Sequence, residues 1–220
     1  MIAENLSQIK KTIPENVTLV AVSKTKPIPL LEEAYAAGQR HFGENRVQEL
    51  EEKHEALPKD IKWHMIGHLQ SKKVKKIAPF VHLIHGVDSL KLLEEINKQA
   101  ERNERVIDCL LQFHIAQEAT KFGFSIDEVH DLLDSEVFFT LKNVRIVGVM
   151  GMATFTSDTA QVRSEFETLS DYFHDLKRGA FRHAPYFTEI SMGMSGDYPI
   201  AIEEGSTMVR VGSAIFGARG

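Results

Sequence analysis

What most constrains this chain is an alternation of short apolar runs with longer amphipathic ones, repeated about eight times. The first short run, residues 17–23, is apolar almost without a break. A strand with one face in water would show a polar residue at every second position, so this one is predicted to be covered on both faces, as in a parallel sheet. Further runs of this kind lie at 41–43, 63–66, 81–84, 106–113, 144–150, 187–190 and 207–211. Helices are predicted between them at 30–37, 46–55, 70–77, 90–102, 125–133, 158–177 and 198–203, with an extra leading helix over 1–11. Leu92, Leu93, Ile96 and Ala100 recur at helical spacing, as do Val162, Phe166, Leu169 and Phe173. Gly38 and Gly205 are placed to end two of the helices. No Pro/Gly/Ser-rich linker interrupts the pattern. The expectation is one α/β domain over residues 1–220, a (β/α)8 TIM barrel with an N-terminal helix added. The alternative is an open doubly wound sheet.

Composition narrows the function classes. Lys and Arg number 26 and Asp and Glu 31, a net charge of -5. That balance argues against a nucleic-acid or anionic-membrane binder. The basic stretch Lys72-Lys73-Val74-Lys75-Lys76 then reads as one solvated helix face. The one cysteine, Cys109, excludes an internal disulfide and a multi-cysteine metal site, and fits a reducing cytosol. No signal-like N-terminus and no apolar window of ~20 residues is visible, so a cytoplasmic protein is expected. The histidines show no HExxH or comparable ligand spacing, and no metal site is expected.

In such a barrel the site lies at the C-terminal ends of the strands. Lys24 ends the most apolar strand, and Lys26 follows two residues later, on the same side if the chain stays extended. Two neighbouring ammonium groups favour a neutral amine, which can attack an aldehyde, or together can hold a phosphate. Equally, both could be strand-end lysines reaching into solvent. The segments 191–196 and 212–217 interleave glycine with serine after the seventh and eighth strands, where barrels often bind phosphate. Arg210 sits in an apolar strand and needs a partner: a phosphate, a carboxylate or a heterocyclic nitrogen.

Five segments carry a resemblance: Ala21-Val22-Ser23-Lys24-Thr25-Lys26-Pro27, Phe42-Gly43-Glu44-Asn45-Arg46-Val47-Gln48-Glu49, Trp63-His64-Met65-Ile66-Gly67-His68-Leu69-Gln70, Ser191-Met192-Gly193-Met194-Ser195-Gly196-Asp197 and residues 205–213. Together, in this order, the chain resembles the pyridoxal phosphate homeostasis protein family. The resemblance implies the barrel of the fold-type III pyridoxal 5'-phosphate (PLP) proteins, shared with alanine racemase. It implies that Lys24 forms a Schiff base with PLP, and that Ser191, Gly212 and Ser213 surround the phosphate. Arg210 matches the arginine beside the pyridine nitrogen, and Asn45 a residue close to the cofactor. Lys26 and Lys121 match lysines that handle PLP in transit. One departure is visible: Lys72 stands where the family usually has Asn.

An arginine beside the ring nitrogen, with a pKa above ~12, would keep that nitrogen unprotonated and the ring a weak electron sink. Racemisation also needs an acid–base on each face, and in alanine racemase one is a tyrosine from a separate domain. Here only Tyr198 falls near a predicted site loop. The expectation is therefore a PLP carrier or buffer without turnover, acting in vitamin B6 homeostasis. Its partners would be PLP and PLP-dependent apo-enzymes, and a monomer is expected. The alternative is a minimal PLP-dependent amino-acid racemase; a PLP-free Schiff-base aldolase or phosphate-binding isomerase is a further reading.

Overall fold

The structure is a computed structural model and describes residues 1–118 and 122–217. Its strands are β1 (Thr18–Val22), β2 (His41–Glu44), β3 (Lys62–Met65), β4 (Leu83–Val87), β5 (Ile107–Gln112), β6 (Val144–Met150), β7 (Glu189–Met194) and β8 (Met208–Val211). Each pairs in parallel with the next, and β8 pairs with β1 through Thr18↔Met208 to Ala21↔Val211, which closes the barrel and excludes an open doubly wound sheet. The helices are α1 (Ile2–Thr12), α2 (Ile28–Ala36), α3 (Val47–Ala56), α4 (Val74–Ile77), α5 (Leu90–Arg102), α6 (Ile126–Asp134), α7 (Glu136–Thr140), α8 (Thr159–Arg178), α9 (Tyr198–Glu203) and α10 (Ser213–Phe216).

Local chemistry sets the helix limits. Ser89 starts α5 by accepting a bond from the Leu92 N–H, and Asp158 starts α8 by accepting from Ala160 and Gln161. Ser125 and Glu128 form a reciprocal capping box at α6. The predicted stripes of α5 and α8 are buried, and each such Leu or Phe contributes roughly 1.5–3 kcal/mol by leaving water. Val74 and Ile77 are buried while Lys72, Lys73, Lys75 and Lys76 stay exposed, so the basic stretch is a solvated face as expected.

Strand alternation makes two cores. One fills the layer between sheet and helices and includes Leu19, Trp63, Ile84, Ile190 and Val209. The other is inside the barrel: Val20, Leu83, Leu110, Val147, Met150 and Met208. The rest of the interior is polar, with His64, His85, Ser191 and Arg210 all buried.

Two strand limits differ from expectation. β4 runs to Val87 rather than ending at residue 84, and β7 starts at Glu189 and runs on to Met194. His85 and Ser191 look like loop residues in a sequence, but they face an interior where polar groups bond to one another. The short helices α7 and α10 were not expected; α7 leaves Val137 and Phe139 exposed and so shows no apolar period. No helix of the described residues is long and apolar enough to cross a membrane.

Candidate functional site

The C-terminal strand ends bring the lysine and the serine–glycine segments together. β1 does not continue extended through Lys26. The Lys26 N–H donates to the Ser23 carbonyl at 3.0 Å and closes a turn, with Thr25 at φ 63°. Lys24 and Lys26 therefore do not share a side by strand alternation, which corrects the expectation. A β-branched residue in the left-handed region is strained by ~1–3 kcal/mol and persists only where its surroundings hold it.

Those surroundings are a buried charge network that sequence reasoning missed. Lys53 Nζ, from α3, donates to the Ser23 carbonyl at 2.7 Å, to Glu44 Oε1 at 2.6 Å and to Glu49 Oε2 at 3.2 Å. The Ser23 hydroxyl donates to Glu44 Oε1 at 2.5 Å, and the Thr25 N–H to Glu49 Oε2 at 2.7 Å. The turn bearing Lys24 is thus held from below at three points. Burial pushes the Glu44 carboxyl up to about 7, against the pull of Lys53. The signal available in the sequence was Glu49 and Lys53 one helical turn apart, directly after a strand ending in Glu44.

Across the rim, β8 exits next to β1. A Cβ on Gly212 would lie 3.0 Å from the Val22 carbonyl oxygen, so the β8 turn approaches β1 as closely as a backbone can. The Gly212 N–H donates to Ser195 Oγ at 3.2 Å, which ties the loops after β7 and β8 together; Ser213 is exposed at the rim. Asn45 follows β2, and its buried Oδ1 has no hydrogen-bond partner among the described residues. A Cβ on Gly67 would meet the Asn45 backbone at 2.4 Å, and one on Gly86 the Gly67 carbonyl oxygen at 2.9 Å. At both positions a side chain would collide with the neighbouring backbone, so the strand ends β2 to β4 can pack this closely only with glycine there.

Arg210 lies one layer deeper, and its hydrogen bonds go to a hydroxyl and a carbonyl. Nη1 donates to Ser191 Oγ at 2.5 Å and Nη2 to the Gly151 carbonyl at 3.2 Å. Burial pulls the guanidinium down to about 10, with Asp197 acting in the opposite sense, so it stays protonated at neutral pH although below the ~12 expected. Ser191 is not in the loop after β7: it is fully buried within β7.

From Ser191 a line of histidines runs down the barrel. His85 Nδ1 lies 2.9 Å from Ser191 Oγ, His64 Nδ1 lies 2.8 Å from His85 Nε2, and His41 Nδ1 lies 2.9 Å from His64 Nε2. A guanidinium only donates, so Ser191 Oγ accepts from it, and its single proton is left for His85. The arrangement with no buried bond unmade gives every ring its proton on Nε2: Ser191 donates to His85, His85 to His64 and His64 to His41. Burial, then neighbouring charge, holds His64 and His85 well below the usual histidine range, so both are neutral.

The remaining residues are placed as follows. Lys72 is exposed in a 3-10 turn after β3. The Tyr198 hydroxyl is 2.9 Å from Thr12 Oγ1 of α1. Cys109 is buried, and burial pushes its thiol well above the usual range, so it is inert. Lys121 lies outside the described residues.

The alanine racemase N-terminal domain family matches residues 1–220. The pyridoxal phosphate homeostasis protein of Vibrio alginolyticus is 40% identical over 211 residues, 94% of this chain and 88% of the relative. The chain belongs to the pyridoxal phosphate homeostasis protein family. That of Aquifex aeolicus is 39% identical over 202 residues, 91% of this chain and 86% of its own. Among solved structures, PipY of Synechococcus elongatus PCC7942 without PLP matches with a TM-score of 0.91 at 38% identity, covering 99% of this chain and 100% of that one. PipY with PLP bound matches at 0.86 and 37%, with the same coverage. Alanine racemase of Clostridium difficile matches at 0.74 with 14% identity over 99% of this chain and 56% of that one, a likeness of fold.

Proposed function

We propose that this member of the pyridoxal phosphate homeostasis protein family binds PLP at the C-terminal rim, linked to Lys24 through a Schiff base, and stores or delivers it in the cytoplasm without turning over a substrate. The observation that carries the proposal is the strained, three-point-held turn that sets Lys24 beside the Gly212–Ser213 exit above a buried arginine. Bound PLP would supply an aldehyde that condenses with an amine, releasing water, and an electron-withdrawing ring.

The residues present fit that group. Asn45 Oδ1 is an orphaned acceptor at the rim, suited to a ligand donor such as a phenolic hydroxyl. Ser213 and Ser195 offer hydroxyl donors of the kind a phosphate takes, beside a Gly212 N–H that here donates to Ser195 Oγ. Ser191 serves this site by holding Arg210 rather than by reaching the rim. Arg210 stays protonated at neutral pH; facing a pyridine nitrogen it would donate a hydrogen bond and keep its proton, which leaves the ring a weak sink. Lys26 sits in the Lys24 turn, placed to receive PLP on its way in or out. Both similarity to PLP-bound PipY and the relatives' names support this reading.

A racemase would need a second acid–base opposite Lys24. The Tyr198 hydroxyl, the candidate for that role, is engaged by Thr12, which favours holding PLP over turnover. The proposed recipients are PLP-dependent apo-enzymes, and the proposed state is a monomer. The test is borohydride reduction of the PLP-loaded protein followed by peptide mapping. A pyridoxyl adduct on Lys24 is expected; label on Lys26 or Lys121 instead would overturn the assignment. Chiral analysis of an amino-acid panel is expected to show no turnover above that of PLP alone.

A further inference from the structure

The opposite end of the barrel holds a second cluster. β2, β3 and β4 are neighbours, and His64 pairs with Leu83, the residue after His82. Their N-terminal ends therefore bring His41, His64 and His82 together, although the sequence spaces them like no metal motif. The ring centroids are 5.2 Å apart for His41–His64, 5.3 Å for His64–His82 and 5.8 Å for His41–His82. One nitrogen from each ring lies within 4.8 Å of the others. Three imidazoles on a tetrahedral ion, with bonds of ~2.0–2.1 Å and a ring radius of about 1.1 Å, have centroids about 5.2 Å apart. The observed triangle is close to that size.

Access and chemistry agree with the spacing. His82 is exposed, His41 half-buried and His64 fully buried, so the cluster opens to solvent on one side and is anchored on the other. Burial and the nearby Lys62 hold His41 down to about 4 and lower His82 as well, so the rings are neutral at pH 7 and keep their lone pairs. Three imidazole nitrogens with an open fourth position suit zinc, cobalt, nickel or copper rather than magnesium or calcium. The field of Lys62 reaches all three rings, so an ion would be held by imidazole bonding and not by charge.

We propose that His41, His64 and His82 bind one divalent late-transition-metal ion at the N-terminal end of the barrel, away from Lys24. His64 ligates through Nε2, the nitrogen that faces His41. Its proton then sits on Nδ1 and is donated to His85 Nε2, the outer bond that orients a metal-binding histidine. The same shift turns His85 from acceptor to donor toward Ser191, with no change in net protonation, and takes from the Ser191 hydroxyl proton its acceptor in His85. An ion at this end thus reverses the hydrogen-bond polarity of the whole line, as far as the serine that holds Arg210.

The test is a cobalt(II) titration of untagged protein followed by visible absorption. Wild type is expected to bind one Co²⁺ with the strong d–d bands of a four-coordinate ion, displaced by Zn²⁺. Loss of an outer-shell partner alone weakens metal binding about 10–100-fold, so His82→Ala and His41→Ala are each expected to lose about 100-fold or more. His82 is exposed, so its replacement leaves the core intact, which an unchanged thermal transition checks. His130→Ala, on α6 beside Asp175, is expected to bind as wild type does. No visible band at stoichiometric cobalt, or equal affinity in His82→Ala and wild type, would overturn the proposal.

Discussion

Replacing Ser191 by alanine removes one oxygen and no packing volume of consequence, so its effect reads the hydrogen bonds directly. Two are lost. The Arg210 bond at 2.5 Å is charge-assisted and buried, a class worth roughly 1.5–3 kcal/mol. The His85 bond at 2.9 Å is neutral and worth roughly 0.5–1.5 kcal/mol. Arg210 keeps the Gly151 carbonyl, so its charge is not wholly stranded. Ser191→Ala is therefore expected to lower the unfolding free energy by about 3 kcal/mol, the middle of that sum. Urea denaturation of the PLP-free protein at pH 7.5 measures it. A second readout is specific to the proton line: two-bond ¹H–¹⁵N spectra of wild type should show His64 and His85 with the proton on Nε2. Without Ser191, His85 Nδ1 has no donor and that bias weakens. A loss below about 0.5 kcal/mol, the range of surface substitutions, would refute the interior hydrogen-bond line.

Acidification should destabilise the fold. His64 and His85 are neutral when folded but take up protons below pH 6.5 when unfolded, so their stabilising contribution is present above 6.5 and lost as pH falls. From pH 7.5 to 5.5 His64, His85 and His41, which burial holds down to about 4, each lose stability, on the order of 1 kcal/mol per ring, while Glu44, raised to about 7, acts in the opposite sense and offsets part of it, so a net fall is expected in urea titrations. In Glu44→Gln the offset disappears and the fall should steepen; a flat profile in that variant would contradict the neutral histidines. Thr25→Gly should relieve the left-handed strain and raise the urea-derived stability by about 1 kcal/mol, since glycine adopts positive φ without penalty; a lower midpoint would show that the threonine side chain holds the turn. Lys24→Ala should abolish the borohydride-fixed adduct yet retain some PLP binding in equilibrium dialysis, and an adduct of undiminished yield would move the covalent link elsewhere.

The barrel was legible because its signal is local. Each strand is an apolar run and each long helix a periodic stripe, and α5, α9 and β6 fall on the predicted residues. Lys24 is singled out as a candidate for a related reason: a charge at the end of the most apolar strand stands out. The rest depended on closure. His41, His64 and His85 come from three successive strands, and a single sequence shows nothing that joins them. Nor does it show that Glu44 pairs with Lys53 beneath a turn, because both read as ordinary charged residues on a strand end and a helix. The Lys24–Lys26 alternation failed at one residue, Thr25, whose positive φ is imposed by Glu49 from another element. Ser191 reads as a rim residue because a polar side chain inside a barrel looks like an exit from it.

The row of imidazoles behind Arg210 has a direction, and that direction constrains how the sequence can drift. Each ring passes on what it receives, so the members are not equally replaceable. Without His41, one donor is stranded where water entering beside His82 can meet it. Without His85, a hydroxyl above and a ring nitrogen below lose their partners at the same moment, deep in the protein. Substitution over evolutionary time should therefore erode this seam from the solvent side inward, with the position next to the arginine the last to change.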